Sequence, residues 1–199
     1  MIIKIKYRST LIAWFIAALG LLMSVNPQPI LADGRASTND RELKALFNDL
    51  LASETALSAE KITRQIWTIW IDDASSDSSR ATMERGINLM NEGRLEEAEK
   101  VFSTLVLQQP DYIEAWNKRA TIRFMMGQFD ASLGDVFVVL SKEPKHFGAV
   151  SGLAMILMRE KNFDGALQAY KKLLQIHPFS KDALRLVPLL EQRILGERI

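Results

Sequence analysis

The side chains best suited to chemistry are few and scattered. His146 and His177 are the only imidazoles in the 199-residue chain, 31 positions apart, and cysteine is absent. No HxxxH-type pair accompanies them, so the expectation is no metal centre. Asp72-Asp73 and Glu96-Glu97 are adjacent carboxylates at the expected end of one helix and the start of another. General acid–base work needs a pocket and shifted pKa values, whereas carboxylates at helix ends are ordinarily solvated. A phosphate-cradling glycine loop, a GxSxG elbow and an HExxH pair are all missing. These residues imply no enzyme, no catalytic residue and no cofactor. Trp67 and Trp70, three apart, read as core aromatics rather than a ligand platform. Arg119 and Arg123 read first as a solvated face, with an ion pair or a partner contact as the alternative.

Charge narrows the partners. The formal net charge is +1, and removing Lys4, Lys6 and Arg8 with the N-terminal segment makes it −2. A near-neutral chain has no clustered cations to neutralise phosphates, so no nucleic acid is expected. Those three basic residues precede an uncharged run from Ser9 to Ala32 whose apolar centre is Leu11 to Met23. That length suits a secretory leader better than a span, which needs about 20 apolar residues. Cleavage after Ala32 and export to the periplasm are expected, with residues 1–32 as signal peptide. The alternative is a retained N-terminal membrane anchor, its basic flank cytoplasmic.

What must position any site is a repeat. Pro110, Pro144 and Pro178 are spaced by 34, as are Gly93 and Gly127. The same interval relates Leu95, Phe129 and Phe163; Ala98, Ser132 and Ala166; and Phe102, Val136 and Tyr170. Gly86, Ala120 and Ala154 fall at the small site of each first helix, with Trp116 at the aromatic site of the second unit. This pattern resembles the tetratricopeptide repeat, with small residues where two helices touch, an aromatic four positions after Ala98 or Ala166, and Pro after the second helix. The fold class is therefore all-α: a superhelix of three helix-turn-helix units at 79–112, 113–146 and 147–180. Each hairpin leaves an apolar face that only stacking buries. Departures are Arg123 at a site for a large apolar residue, Thr82 and Arg85 in the first unit, and Lys161 in place of the third turn glycine.

The flanks also read as helical. Leu43, Leu46, Phe47, Leu50 and Leu51 keep helical spacing, and Ile62, Ile66, Trp67, Ile69 and Trp70 mark a second helix after Ser58. They are expected to form an N-terminal cap within 33–78, an acidic segment with a polar start at Asp33 to Asn39. Residues 181–199 read as a C-terminal helix kinked at Pro188.

The resemblance implies a protein-interaction scaffold whose groove is lined by the second, fifth, ninth, twelfth and thirteenth residues of each repeat. These are Arg80, Met83, Ile87, Met90 and Asn91; Glu114, Asn117, Thr121, Phe124 and Met125; and Gly148, Ser151, Met155, Met158 and Arg159. Five of the chain's eight methionines fall there, and adaptable thioethers suit a groove that accommodates varied apolar ligands. The family's carboxylate-clamp places hold Met83, Ile87, Lys118, Gly148 and Gly152, so a clamp is not expected. The implied partner is an extended or helical protein segment, with Glu114, Arg159 and Arg80 at the rim. The competing reading has these methionines packed under the chain's own terminal helix. Leu184, Leu186, Val187, Leu189, Leu190, Ile194 and Leu195 spread apolar groups around the last helix, which suggests a homo-oligomer through 184–195, or a partner site.

Overall fold

Residues 38–197 are described by the computed structural model; residues 1–32, expected as a signal peptide, the segment 33–37 and the last two residues lie outside them. The described residues fall in the single compact unit Thr38–Ile199. Among them are nine helices: α1 (Thr38–Leu51), α2 (Ala56–Asp72), α3 (Asp77–Asn91), α4 (Leu95–Gln108), α5 (Ile113–Met125), α6 (Phe129–Lys142), α7 (Phe147–Arg159), α8 (Phe163–Ile176) and α9 (Lys181–Glu197).

Side chains cap several helix starts. Thr55 and Ser58 form a reciprocal capping box at α2, Ser76 caps α3, and Asn162 caps α8 by accepting from the Gly165 amide. Gly93 and Gly127 take φ +76 in the turns inside the first two hairpins, where a side chain is strained. Lys161 does the same job in the third at φ 58, so the departure there keeps the turn. Gly86 faces Phe102 so closely that a Cβ would lie 2.5 Å from the ring. Ala120 and Ala154 occupy the equivalent sites and are buried, and the Ser132 hydroxyl donates to the Ala120 carbonyl at 2.7 Å.

Helices pair as α3/α4, α5/α6 and α7/α8, each hairpin packs on the next, and α9 packs on α8. Arg123 replaces an apolar contact with charge: it and Arg119 both bind the buried Asp135 carboxylate, and Arg123 also reaches Glu99. They are an internal ion network, not the solvated face that sequence suggested. α9 continues through Pro188 to Glu197.

The N-terminal pair lies across the array rather than on its end alone. α2 touches α3 and α5, and α1 reaches α8. Phe47, Leu50, Ile66 and Trp70 are buried in doing so, each side chain contributing roughly 1.5–3 kcal/mol by transfer.

Candidate partner-binding groove

Along α2, successive side chains meet equivalent turns of successive repeats. The Tyr112 hydroxyl donates to the Ile71 carbonyl. His146, one repeat later, stacks on Trp70 with ring centroids 3.9 Å apart. Trp67 packs edge-on against His146 and Phe147, and Gly148 admits it, since a Cβ there would come within 2.7 Å of the indole. Thr63 reaches His177 at 3.2 Å.

Beneath this strap sits a buried polar cluster. Glu114 is fully enclosed and receives the Lys118 ammonium at 2.9 Å, the Asn117 amide at 3.1 Å and His146 Nε2 at 3.0 Å. His146 Nδ1 accepts the Ala149 amide at 3.1 Å, capping α7, so the ring proton is on Nε2 and points at Glu114. Burial drives the Glu114 carboxyl upward, but the His146 hydrogen bond and the Lys118 charge outweigh it and hold the group below its ordinary range. Lys118 also lies 4.9 Å from the Trp67 ring centroid. The one cation among the clamp positions is thus consumed internally.

These contacts divide the expected groove lengthwise. At the second and fifth positions of the repeats, Arg80 binds Asp72 of α2 at 2.6 Å, Met83 is in the core, Glu114 and Asn117 are buried, and Gly148 lies under Trp67. Glu114 is therefore interior and not a rim charge, whereas Arg80 stays half-exposed and is paired with Asp72 of the strap. One turn further along the same helices the surface opens. Met125 is 52% exposed and Met155 38%. Asn91 and Arg159 are exposed, whereas Ile87, Met90, Thr121, Phe124 and Met158 are half-buried. Phe124 packs on Phe129 at 5.4 Å, with the Arg159 guanidinium over that ring, and the Thr121 hydroxyl is turned back to the Asn117 carbonyl. Sequence reasoning had no signal for the division, because Trp67 and Trp70 meet partners some 80 residues away in the chain.

Stacked helical hairpins of this geometry define an α-solenoid scaffold. A tetratricopeptide-repeat profile matches residues 126–181. A TPR repeat-containing protein of Rhizobium etli is 31% identical over 189 residues, covering 90% of this chain and 92% of the relative. Among solved structures, the first TPR of Spaghetti (RPAP3) bound to an HSP90 peptide superposes with a TM-score of 0.58 at 16% identity, over 61% of this chain and 97% of that one. MamA superposes at 0.55 and 16% identity, over 79% and 85%. The chain belongs to the tetratricopeptide-repeat family. Its fold is that of a protein-interaction module.

Proposed function

We propose that the protein is a non-enzymatic interaction module of the bacterial cell envelope, holding a partner peptide or helix on the open half of its Met-rich groove. The observation that carries this reading is the exposure of Met125 and Met155, on α5 and α7, whose N-terminal turns Trp67 of α2 covers at Lys118 and Gly148. Three apolar anchors buried there would contribute roughly 5–9 kcal/mol, and ordering costs of similar size leave micromolar affinity. That a similar repeat binds a peptide supports a segment as ligand. The engagement of Lys118 by Glu114 argues against a carboxylate clamp here.

A photo-crosslinking side chain at Met125 or Met155, compared with one at exposed Leu107 of α4, tests the site in envelope extract. Discrete adducts from the first two and not from the third are expected. Identical adducts from all three, or none from the groove, would exclude it. The leader composition supports export with cleavage after Ala32, and the intact mass of envelope-purified protein decides it, since a species retaining Met1 means an anchor.

A second reading, self-association, rests on α9, where Leu184, Leu189 and Leu195 are half-exposed or more. It requires a mass in sedimentation equilibrium that rises with concentration and falls to the monomer in Leu189→Glu.

A further inference from the structure

α9 continues the repeat register. It starts at Lys181, 34 residues after α7 starts at Phe147, and Phe147 lies 34 after Ile113 of α5. The turn before each start closes in one way: the amides of Tyr112, His146 and Ser180 donate at 3.0 Å to the carbonyls of Gln109, Glu143 and His177. Ala115, Ala149 and Ala183 are buried at one step of the register, and Ile122, Ile156 and Leu190 at another. α9 is therefore packed as the first helix of a fourth unit.

That placement gives the groove one more rung. The second, fifth, ninth, twelfth and thirteenth places of the fourth unit are Asp182, Arg185, Leu189, Gln192 and Arg193, and all of them are exposed. Leu189, 53% exposed, is the counterpart of Met155. At about 100° per residue it stands roughly 120–140° round the helix from Leu184 and Leu195. α9 thus presents two apolar faces, and Leu189 alone of the three is in line with the groove.

Charge changes along the same line. Met125, Arg159 and Arg193 hold the thirteenth place in successive units. The Arg159 guanidinium lies 5.4 Å from the Phe129 ring centroid, and Arg193 repeats the arrangement 34 residues on, 4.0 Å from that of Phe163. Stacking holds both guanidiniums at equivalent points. Among the described residues Arg159 forms no ion pair, and Arg185 shares Asp182 at 3.1 Å on the surface. The groove places of α7 and α9 therefore carry three guanidiniums against one carboxylate. Those of α3 and α5 carry only Arg80, tied to Asp72, and interior Glu114. The acids that follow the two rings in sequence, Asp130 and Asp164, are on the second helices, outside the groove places.

We propose that the groove runs on to α9 and that its last two units take an acidic stretch of the partner segment, with apolar side chains seated on Met155 and Leu189 and an adjoining Asp or Glu carboxylate bound by Arg159. The assignment rests on the groove reading above and adds the chemistry of the segment: apolar over the second unit, acidic toward the fourth.

Two synthetic amphipathic peptides with one leucine pattern at helical spacing, one with Glu and the other with Lys at the polar places, are the probes. Titrated into the full-length chain by fluorescence anisotropy, the Glu peptide is expected to bind saturably and the Lys peptide about three- to tenfold more weakly. The gap should narrow as salt is raised. Arg159→Glu should reverse the preference, which a packing role for the side chain would not do, and Arg159→Lys should keep it. Leu189→Ser should weaken the Glu peptide about three- to tenfold, whereas Leu184→Ser, on the other face, should leave it unchanged. Equal binding of the two peptides, or an unreversed preference in Arg159→Glu, overturns the acidic assignment. Equal effects of Leu189→Ser and Leu184→Ser remove the fourth rung, and absence of saturable binding by either peptide overturns the proposal outright. Crosslinking at Met125 and Met155 reads the groove itself, so any of these failures beside discrete adducts there sinks the extension and leaves the groove reading standing.

Discussion

The imidazole of His146 lies flat against the Trp70 indole, planes 14° apart and centroids 3.9 Å apart. The same ring caps α7 through Nδ1 and donates to buried Glu114 through Nε2. One residue thus joins the strap, a helix start and the buried carboxylate.

His146→Ala should therefore cost more than a lost contact. A hydrogen bond to a charged group is worth about 1.5–3 kcal/mol, and a helix cap about 0.5–2. Chemical denaturation should show a loss of about 2–5 kcal/mol. A loss below about 1 kcal/mol would mean that Glu114 finds water or another donor.

Acid should destabilise the fold in two separate steps. Burial holds the His177 pKa below its ordinary value. The unfolded chain, titrating near about 6.5, then binds the proton first, so stability is full above that pH and declines below it toward the folded pKa. Glu114 is also depressed, but as a carboxylate its contribution is present above about 4.3 and is lost only as pH falls through its lower folded pKa. Melting temperature should already fall between about pH 7 and 5, and His177→Gln should flatten that limb while leaving the drop below about pH 4.3 in place. An unchanged profile in the variant would assign the first limb to other groups.

Two glycines separate sterics from backbone strain. Gly127 has φ +76, and a methyl added there would meet nothing within 4 Å, so Gly127→Ala should cost about 1 kcal/mol, the left-handed penalty alone. Gly86→Ala drives a methyl into the Phe102 ring, which is fully buried and has no room to swing. Overpacking of this kind costs about 1–3 kcal/mol. Denaturant midpoints should rank Gly86→Ala as the worse variant, and Phe102→Leu should recover part of the loss in the double variant; additive losses would mean that no clash exists.

What was legible in sequence follows from local physics. The 34-residue register fixes helix ends because prolines and turn glycines act on their own backbone, and the observed hairpins α3/α4, α5/α6 and α7/α8 start and stop at those punctuation marks. Even Lys161 could be read as a turn position from its register. Burial of charge could not be read, because Glu114 occupies a groove position by spacing; its local partners Lys118 and Asn117 suit an exposed helix face as well, and the distant His146 that completes its enclosure leaves no mark near it in the chain. The same holds for Met83, whose thioether matches its neighbours in the pattern yet belongs to the core.

The strap also changes how the array should unfold. A solenoid in which repeats touch only their neighbours frays from its ends. Here α2 touches α3 and α5, α1 reaches α8, and Trp70 packs on residues that open the third repeat. Such bridging couples the first repeat to the third and favours one cooperative transition. Trp70→Ala should cost about 3–5 kcal/mol and release that coupling, so hydrogen exchange in α1 and α2 accelerates together while α6 to α8 keep their protection. Trypsin should then cut first at Lys61 or Arg64, both exposed on α2. If exchange instead rose uniformly from α1 through α9, the strap would be an inseparable part of the repeat core, and the division of the groove would be fixed rather than held by the tryptophans.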